Sequence, residues 1–341
     1  NLPIVPVTDL TVKNDNLIAA TQGRSFWIID DLSPLHQLNA DISNSKFHLF
    51  KPIPSYRMGG GQARTPSKTE GQNHPGGVMI HFFLKDTASV KATLEVMETD
   101  GTLIKKFLTK ADKKKKEEEL KIAPGMNRFV WNTRYADAES FDGMILWAGS
   151  VTGPKAMPGK YKARLTVNDV SQETEFEIVR DPRITAPPDD VKRQFEFLLS
   201  VRDKLSETNK AIKRIRTLRE QMNRVTDPLK GKDDMKDLTD MAKSILDETK
   251  KIEEALYQTR NKSGQDPLNF PVRLNNKLAA LASEADGSDF KPTDQVKEVY
   301  QEVTAKIDEQ LQALNKIITE RVPQFNDLVK NKSIQAVTLT D

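Results

Sequence analysis

The period of the apolar residues changes once along this chain, at Asp181-Pro182-Arg183. In residues 78–180 apolar and polar side chains alternate, as they do in half-buried strands, and after residue 185 apolar side chains recur every three or four positions. One segment cannot satisfy both periods, because strands repeat every two residues and helices about every 3.6. The sequence therefore predicts a multidomain β plus α protein, with a β-sandwich over 78–182, a helical bundle over 185–331 and a tail over 332–341.

The region before this change contains well-marked strands and turns. The predicted strands cover residues 78–85, 90–98, 103–109, 127–133, 159–168 and 172–179. Asp100-Gly101 predicts a tight hairpin, because glycine readily takes the positive φ that such a turn requires. The order ETDGTLIKKF, APGMNRFVWNTRY and PGKYKARLTV resembles the antiparallel immunoglobulin-like or fibronectin type III modules that are appended to secreted bacterial proteins. That resemblance implies that Trp131 and Tyr161 face the core.

The region after the change predicts an antiparallel helical bundle. Pro187-Pro188-Asp189 predicts a helix start with Asp189 as its N-cap. Heptad-like seams follow over 198–222 and 235–256, with a shorter segment at 274–285 and a last one at 296–318 that Pro323 interrupts. These seams fit a bundle within one chain and also a dimer, since an apolar stripe does not identify the chain it packs against.

Residues 16–35, NLIAATQGRSFWIIDDLSPL, predict a strand, a Gly-Arg turn, an aromatic strand and an acidic exit. A pair of strands standing alone exposes its apolar side chains and its hydrogen-bonding edges. Residues 1–40 are therefore expected to complete a larger body, and a start at Asn1 with no apolar signal stretch favours the C-terminal portion of a longer polypeptide. Residues 41–77, rich in proline and glycine, are predicted to be a linker whose first half packs on a neighbouring domain.

The run DLTVKNDNLIAATQGRSFWIIDDLSPL resembles the last repeat of bacterial β-propellers related to the sortilin-like and BNR-repeat (glycosyl-hydrolase-like) proteins, and GPKAMPGKYKARLTV is a second point of similarity. The resemblance implies a large, exported, multi-bladed protein in which a sandwich and a helical region follow the propeller. The Ser/Thr-x-Asp-x-Gly-x-Thr-Trp hairpin of those propellers is absent from this chain. No catalytic residue of the family is therefore transferred to it.

Three polar residues of this segment are candidate binding residues. Arg24 follows Gly23 at the predicted blade turn, where an arginine can point into a propeller funnel and pair with an acid. Asp30 and Asp31 are paired carboxylates at the exit of the aromatic strand. The structural alternatives are an ion pair for Arg24 and an anchoring role for Asp30 and Asp31.

Composition excludes several classes of site. The chain has 52 basic and 49 acidic residues, so its net charge of +3 leaves no electrostatic footprint for nucleic acid. No apolar run approaches the roughly 18 residues that a membrane-spanning helix needs. The absence of cysteine excludes disulfides and thiolate ligands, and the four histidines lack the spacing of a metal motif. No metal, no cofactor and no transmembrane segment are expected.

These observations predict a non-catalytic scaffold and interaction region of an exported, envelope-associated or secreted bacterial propeller protein. Its expected partners are the rest of the propeller in the same protein and other proteins of the cell envelope, and its expected location is extracytoplasmic. One alternative is a propeller hydrolase of glycans or peptides whose active site lies mostly outside this chain. The other is an adaptor in which residues 1–40 form a hairpin on the sandwich, without any propeller.

Overall fold

A computed structural model describes Leu2 and residues 4–58, 73–112 and 117–334. The glycines at 59–61, the lysines at 113–116 and the tail from residue 335 lie outside the described residues. The chain divides into two compact units: a β unit of residues 1–136 and 155–185, and a helical unit of residues 137–154 and 186–341. The prediction of a mixed β and α protein with antiparallel sheets and a C-terminal helical region is confirmed.

Twelve strands and two short helices are described in the β unit. In chain order they are β1 (Val7–Lys13), β2 (Asn16–Thr21), β3 (Phe26–Ile29), α1 (Ser33–Gln37), α2 (Ala40–Asn44), β4 (Phe47–Leu49), β5 (Ser55–Tyr56), β6 (Val78–Leu84), β7 (Ala92–Glu98), β8 (Leu103–Leu108), β9 (Glu118–Glu119), β10 (Gly125–Trp131), β11 (Gly159–Val167) and β12 (Val170–Val179). Each of the six predicted strands is present, with ends within two residues of the prediction. The alternating pattern located them because a two-residue period is a local property of the chain.

These strands form three sheets. The order is β1-β2-β3 in the first, β10-β6-β4 in the second and β5-β12-β11-β7-β8-β9 in the third. Pairing is antiparallel throughout, except that the short strands β5 and β9 pair in parallel at the two edges of the largest sheet. The predicted Asp100-Gly101 hairpin is confirmed between β7 and β8: Gly101 has a φ of +94°, and the Thr102 amide donates to Asp100 Oδ1 at 2.8 Å.

The core of the β unit lies between the second and third sheets. Trp131 on β10 is completely buried, and its ring centroid lies 6.1 Å from that of Tyr161 on β11 and 6.0 Å from that of Phe176 on β12. Its indole N–H donates to the Arg134 carbonyl at 3.0 Å, so the buried ring leaves no unpaired donor. The predicted core positions Trp131 and Tyr161 are confirmed.

The first half of the predicted linker contributes to this core. Phe47, Leu49 and Phe50 are buried, as expected for a segment that packs on its neighbour. Residues 47–49 also form a strand, β4, that pairs with β6, and the Gln172 side chain accepts a hydrogen bond from the Leu49 amide at 2.9 Å. A strand of three residues is too short to show a repeating period, and Pro52 and Pro54 follow it closely, so the sequence pattern did not reveal it.

Five α-helices are described in the helical unit. They are α3 (Pro188–Thr226), α4 (Lys236–Leu256), α5 (Leu274–Ala285), α6 (Asp294–Lys316) and α7 (Val322–Asn331). The predicted seams supply its core, and the two threonines on them, Thr208 and Thr249, donate to the carbonyls of Lys204 and Ile245, each at 2.8 Å. The apolar stripes are therefore buried against other helices of the same chain, although their periodicity would also have fitted packing against a second copy.

Two details of these helices differ from the predictions. The assignment of Asp189 as N-cap is wrong: Pro187 occupies that position, and Asp189 lies in the first turn. Pro188 explains the shift, because its fixed φ and missing N–H suit the first helical position. At Pro323 the backbone does not leave the helix; it widens into a π-turn, Ile317–Arg321, in which the Val322 amide donates to the Ile317 carbonyl. The wider turn accommodates a proline ring that would clash with a preceding carbonyl.

Residues 137–154, which we call the strap, pack with the helices although they lie between two strands of the β unit in sequence. Ala138 and Phe141 enter the helical core. The Trp147 amide donates to Asn276 Oδ1 at 2.7 Å, and the Asn276 side chain donates back to the Trp147 carbonyl at 2.8 Å. A Cβ on Gly149 would stand 2.8 Å from the Cβ of Ala279, so this part of the strap requires glycine. Nothing in the sequence pattern indicated this packing.

Candidate interaction surface

The sheet of β1, β2 and β3, which we call the N-terminal sheet, is held by two tight turns. Asn14 and Asp15 join β1 to β2 with φ values of +52° and +58°, the conformation that a two-residue hairpin requires and that these two residue types tolerate. At the other turn, Gly23 has a φ of +73° and Thr21 donates to the Ser25 carbonyl through its amide, at 3.2 Å, and its hydroxyl, at 2.6 Å. The register of all three strands is thereby fixed.

That register places apolar side chains on both faces of the N-terminal sheet, and one of the two faces also carries the polar Asp9 and Thr11 on β1. Residues that pair across strands share a face, and faces alternate along each strand. One face carries the cross-strand triplets Leu10–Ala19–Trp27 and Val12–Leu17–Ile29, and the other carries Asp9–Ala20–Phe26 and Thr11–Ile18–Ile28. A face that stays in water would instead carry polar residues on all of its strands.

Neither apolar face is covered by the part of the chain that the structure describes. Phe26 is 73% exposed, Leu10 and Val12 are each 60% exposed, and Ile28 is 56% exposed. Burying a side chain of this size stabilises a protein by about 1.5–3 kcal/mol. Large exposed apolar surfaces of this kind mark interaction sites in native proteins. The N-terminal sheet is therefore the candidate interaction surface.

The candidate residues Asp30 and Asp31 lie where the chain leaves this sheet. Asp31 Oδ1 accepts a hydrogen bond from the Ser33 amide at 2.8 Å. Asp31 Oδ2 is buried and has no hydrogen-bond donor among the described residues. It lies 3.4 Å from His81 Nδ1 on β6. Asp30 Oδ2 lies 3.7 Å from Arg128 Nη1 on β10. This arrangement fastens the end of β3 to the second sheet, so an anchoring role accounts for both carboxylates.

Arg24, the third candidate residue, lies at the opposite end of β3. It lies six positions before Asp30, which corresponds to roughly 20 Å of extended strand. Its guanidinium donates to the adjacent Gly23 carbonyl at 3.1 Å, and its own carbonyl accepts the Trp27 indole N–H at 2.9 Å. No salt bridge joins Arg24 to an acid within the described residues. The structure therefore does not bring the three candidate residues together.

Sequence reasoning missed His81 and Arg128 as partners of the two aspartates. These two residues face each other in the register of β6 and β10. The alternating pattern of each strand shows which side chains share a face. It does not show that β6 and β10 pair, because that pairing is set by the tertiary fold. The pKa of the partly buried His81 lies below its ordinary value, chiefly because burial disfavours the charged ring; Asp31 opposes that shift and Arg128 adds to it.

Acidification is expected to destabilise the β unit partly through His81. Because the folded-state pKa of His81 is lowered, the unfolded chain binds a proton first as the pH falls. The stability that neutral His81 confers is therefore complete above about pH 6.5 and is lost as the pH falls toward the folded-state pKa, by at most about 1.4 kcal/mol per pH unit. Urea unfolding of wild type and His81→Gln between pH 7 and 5 measures it. An unchanged pH slope in the variant would contradict this.

Other functional groups are engaged in structural contacts. Glu139 on the strap pairs with Lys213 Nζ at 2.6 Å, and Asp137 Oδ1 accepts the Gly153 amide at 3.0 Å. Within residues 4–58, 73–112 and 117–334, no group of three or more histidines and carboxylates is placed to hold a metal ion. No helix in the same ranges is both long and apolar enough to cross a bilayer.

Comparison of the chain with protein-family models, with curated proteins and with solved structures finds no match. The interpretation of the site therefore rests on the geometry of the N-terminal sheet and its anchor.

Proposed function

We propose that this chain is a non-catalytic scaffold and interaction region of an exported, envelope-associated or secreted bacterial protein. In this proposal the N-terminal sheet belongs to a β-propeller of the sortilin-like or BNR-repeat type. The β unit then contributes an immunoglobulin-like or fibronectin type III-like sandwich, and the helical unit contributes a bundle. The two orient the propeller or bind proteins of the envelope, outside the cytoplasm.

The observation that carries the proposal is the pair of exposed apolar faces on the N-terminal sheet. Leu10 and Val12 stand on one face, and Phe26 and Ile28 on the other, all more than half exposed. A single helix or a second sheet would cover only one face. In a propeller every blade lies between two neighbouring blades, so both of its faces are buried. A second copy of this chain, packed about a two-fold axis, would leave one face in water.

The contacts of Asp30, Asp31 and Glu139 support a non-catalytic role for these three residues. A pair of catalytic carboxylates must flank a substrate bond. Asp30 and Asp31 instead contact Arg128 and His81 as an anchor, and Glu139 pairs with Lys213.

The first experiment is the intact mass of the natural polypeptide, isolated from its source and analysed by mass spectrometry with peptide coverage to both ends. The proposal expects a polypeptide much larger than 38.4 kDa with peptides upstream of Asn1. A natural product that begins at Asn1, with no associated upstream fragment, would contradict the propeller assignment and favour an adaptor.

Placing a lysine on either face of the N-terminal sheet is expected to destabilise the natural polypeptide. Val12→Lys and Ile28→Lys each bury an unpaired charge between layers, at a cost of about 3 kcal/mol or more. Val170→Lys is the matched control, because Val170 is 59% exposed on a sandwich hairpin; its cost should stay within about 0.5 kcal/mol.

Urea unfolding of the three variants measures these costs. In the isolated chain, where the faces meet water, all three lysines should be tolerated alike, and the two on the sheet should reduce the binding of an apolar dye. Equal stability of all three variants in the natural polypeptide would show that the faces are not buried there.

A further inference from the structure

The N-terminal sheet has two edges, β1 and β3, and neither pairs with another strand in the part of the chain that the structure describes. A strand edge presents unpaired N–H and C=O groups, so it either accepts a further strand or carries features that prevent pairing. Along an edge strand, residues whose backbone N–H and C=O groups point outward alternate with residues whose backbone groups bond to the neighbouring strand. The two edges can therefore be compared residue by residue.

The edge of β1 carries features that oppose pairing. A bulge interrupts its register between Val7 and Asp9. Lys13 and Asn16 flank the two-residue turn and form a hydrogen-bonded pair. Because hydrogen-bonded and non-hydrogen-bonded pairs alternate along an antiparallel ladder, the backbone N–H and C=O groups of Leu10 and Val12 point away from β2. The outward amide of Leu10 is already used, since it donates to Asp9 Oδ1 at 2.8 Å. Bulges and charged residues are the devices that protect natural edges.

The edge of β3 carries none of these features. Its sequence, FWII, has no charge and no proline, and its pairing with β2 runs without a bulge. The Thr21 amide donates to the Ser25 carbonyl, so the backbone groups of Ser25 point toward β2. Because this direction alternates along the strand, the backbone groups of Trp27 and Ile29 also point toward β2, and those of Phe26 and Ile28 point outward. Two N–H donors and two C=O acceptors therefore stand at this edge, which is only four residues long but has no charge, proline or bulge.

We infer that a further strand pairs with the edge of β3 and not with that of β1. This inference rests on the proposed function, because the added strand comes from the rest of the same β-propeller. The strand is apolar on both faces, since its side chains continue the two apolar faces of the N-terminal sheet. Pairing of β3 with β3 of a second copy would satisfy the edge but leave both faces in water.

Hydrogen exchange at single amides tests the inference, with the natural polypeptide compared with the isolated 341-residue chain. The amides of Phe26 and Ile28 are expected to exchange at least about a hundredfold more slowly in the natural polypeptide, because they become bonded to the added strand. The Val12 amide, which faces outward from β1, is the internal control and should change only a few-fold. Protection of Val12 with fast exchange at Phe26 and Ile28 would overturn the inference.

A pair of proline variants separates the two edges by a second measurement. Ile28→Pro and Val12→Pro each remove an outward N–H from a similarly exposed apolar residue, on opposite edges, without removing a bond to β2. In the natural polypeptide Ile28→Pro is expected to lower Tm and deprotect Phe26, whereas Val12→Pro should do neither. Equal effects of the two variants would contradict the assignment of the edge.

The outcomes also separate this inference from the proposed function. If Phe26 and Ile28 exchange fast in the natural polypeptide while Val12→Lys and Ile28→Lys still destabilise it, the faces are buried and only the edge assignment fails. If those lysine variants are tolerated as well, the proposed function fails with it.

Discussion

Replacing Phe141 with alanine is expected to remove about 3–5 kcal/mol from the stability of the helical unit. Phe141 is buried in the helical core, its ring packs edge-to-face against Tyr257 with centroids 5.0 Å apart, and the Arg216 guanidinium lies 4.5 Å from its centroid. Truncation leaves a cavity and removes both aromatic contacts. Hydrogen exchange of α4 amides as a function of urea measures the loss for this unit alone.

Phe290→Ala is the matched control for this prediction. Phe290 lies in the same unit and is about half exposed, so its truncation should cost about 1 kcal/mol or less. Equal losses for the two variants would mean that the strap lies on the surface of the helical unit and is not part of its core. The same reasoning implies that residues 186–341 alone lack a part of their own core, so a binding assay with the helical unit needs the strap.

Replacing Trp131 with alanine is expected to cost the β unit about 3–5 kcal/mol. Its ring is completely buried between β10 and the strands that carry Tyr161 and Phe176, so the substitution empties the space between two sheets. Exchange of β11 amides in urea measures the loss.

Met126→Ala is the control on the same strand, because its side chain is about half exposed and should change stability by about 1 kcal/mol or less. A small effect of Trp131→Ala would contradict the packing of the second and third sheets around this ring.

Much of the fold follows from local pattern. The longer strands of residues 78–179 and the seams of the helices occur where the apolar period places them, and Trp131 and Tyr161 are buried as expected. Short elements were harder to predict, because β4 has only three residues and a period needs several repeats to be visible. The π-turn before Pro323 is a local adjustment of backbone geometry that periodicity does not encode.

The candidate site was predictable only in part. The segment that carries Arg24, Asp30 and Asp31 was identified from its residues, but the carboxylates contact His81 and Arg128, which are distant in sequence. The uninterrupted apolar run of β3 is the signal by which a sheet with apolar side chains on both faces can be found in the sequence.

The sequence by itself determined where the longer strands and helices after residue 77 lie, because side-chain period is set by neighbours along the chain. Only the tertiary structure decided that the strap packs with the helices, since Trp147 and Asn276 meet across 129 residues with no local pattern to pair them. The tertiary structure also decided which backbone groups of β1 and β3 face outward at the two edges of the N-terminal sheet. Edges and faces are relations between strands, so they become defined only when the strands have paired.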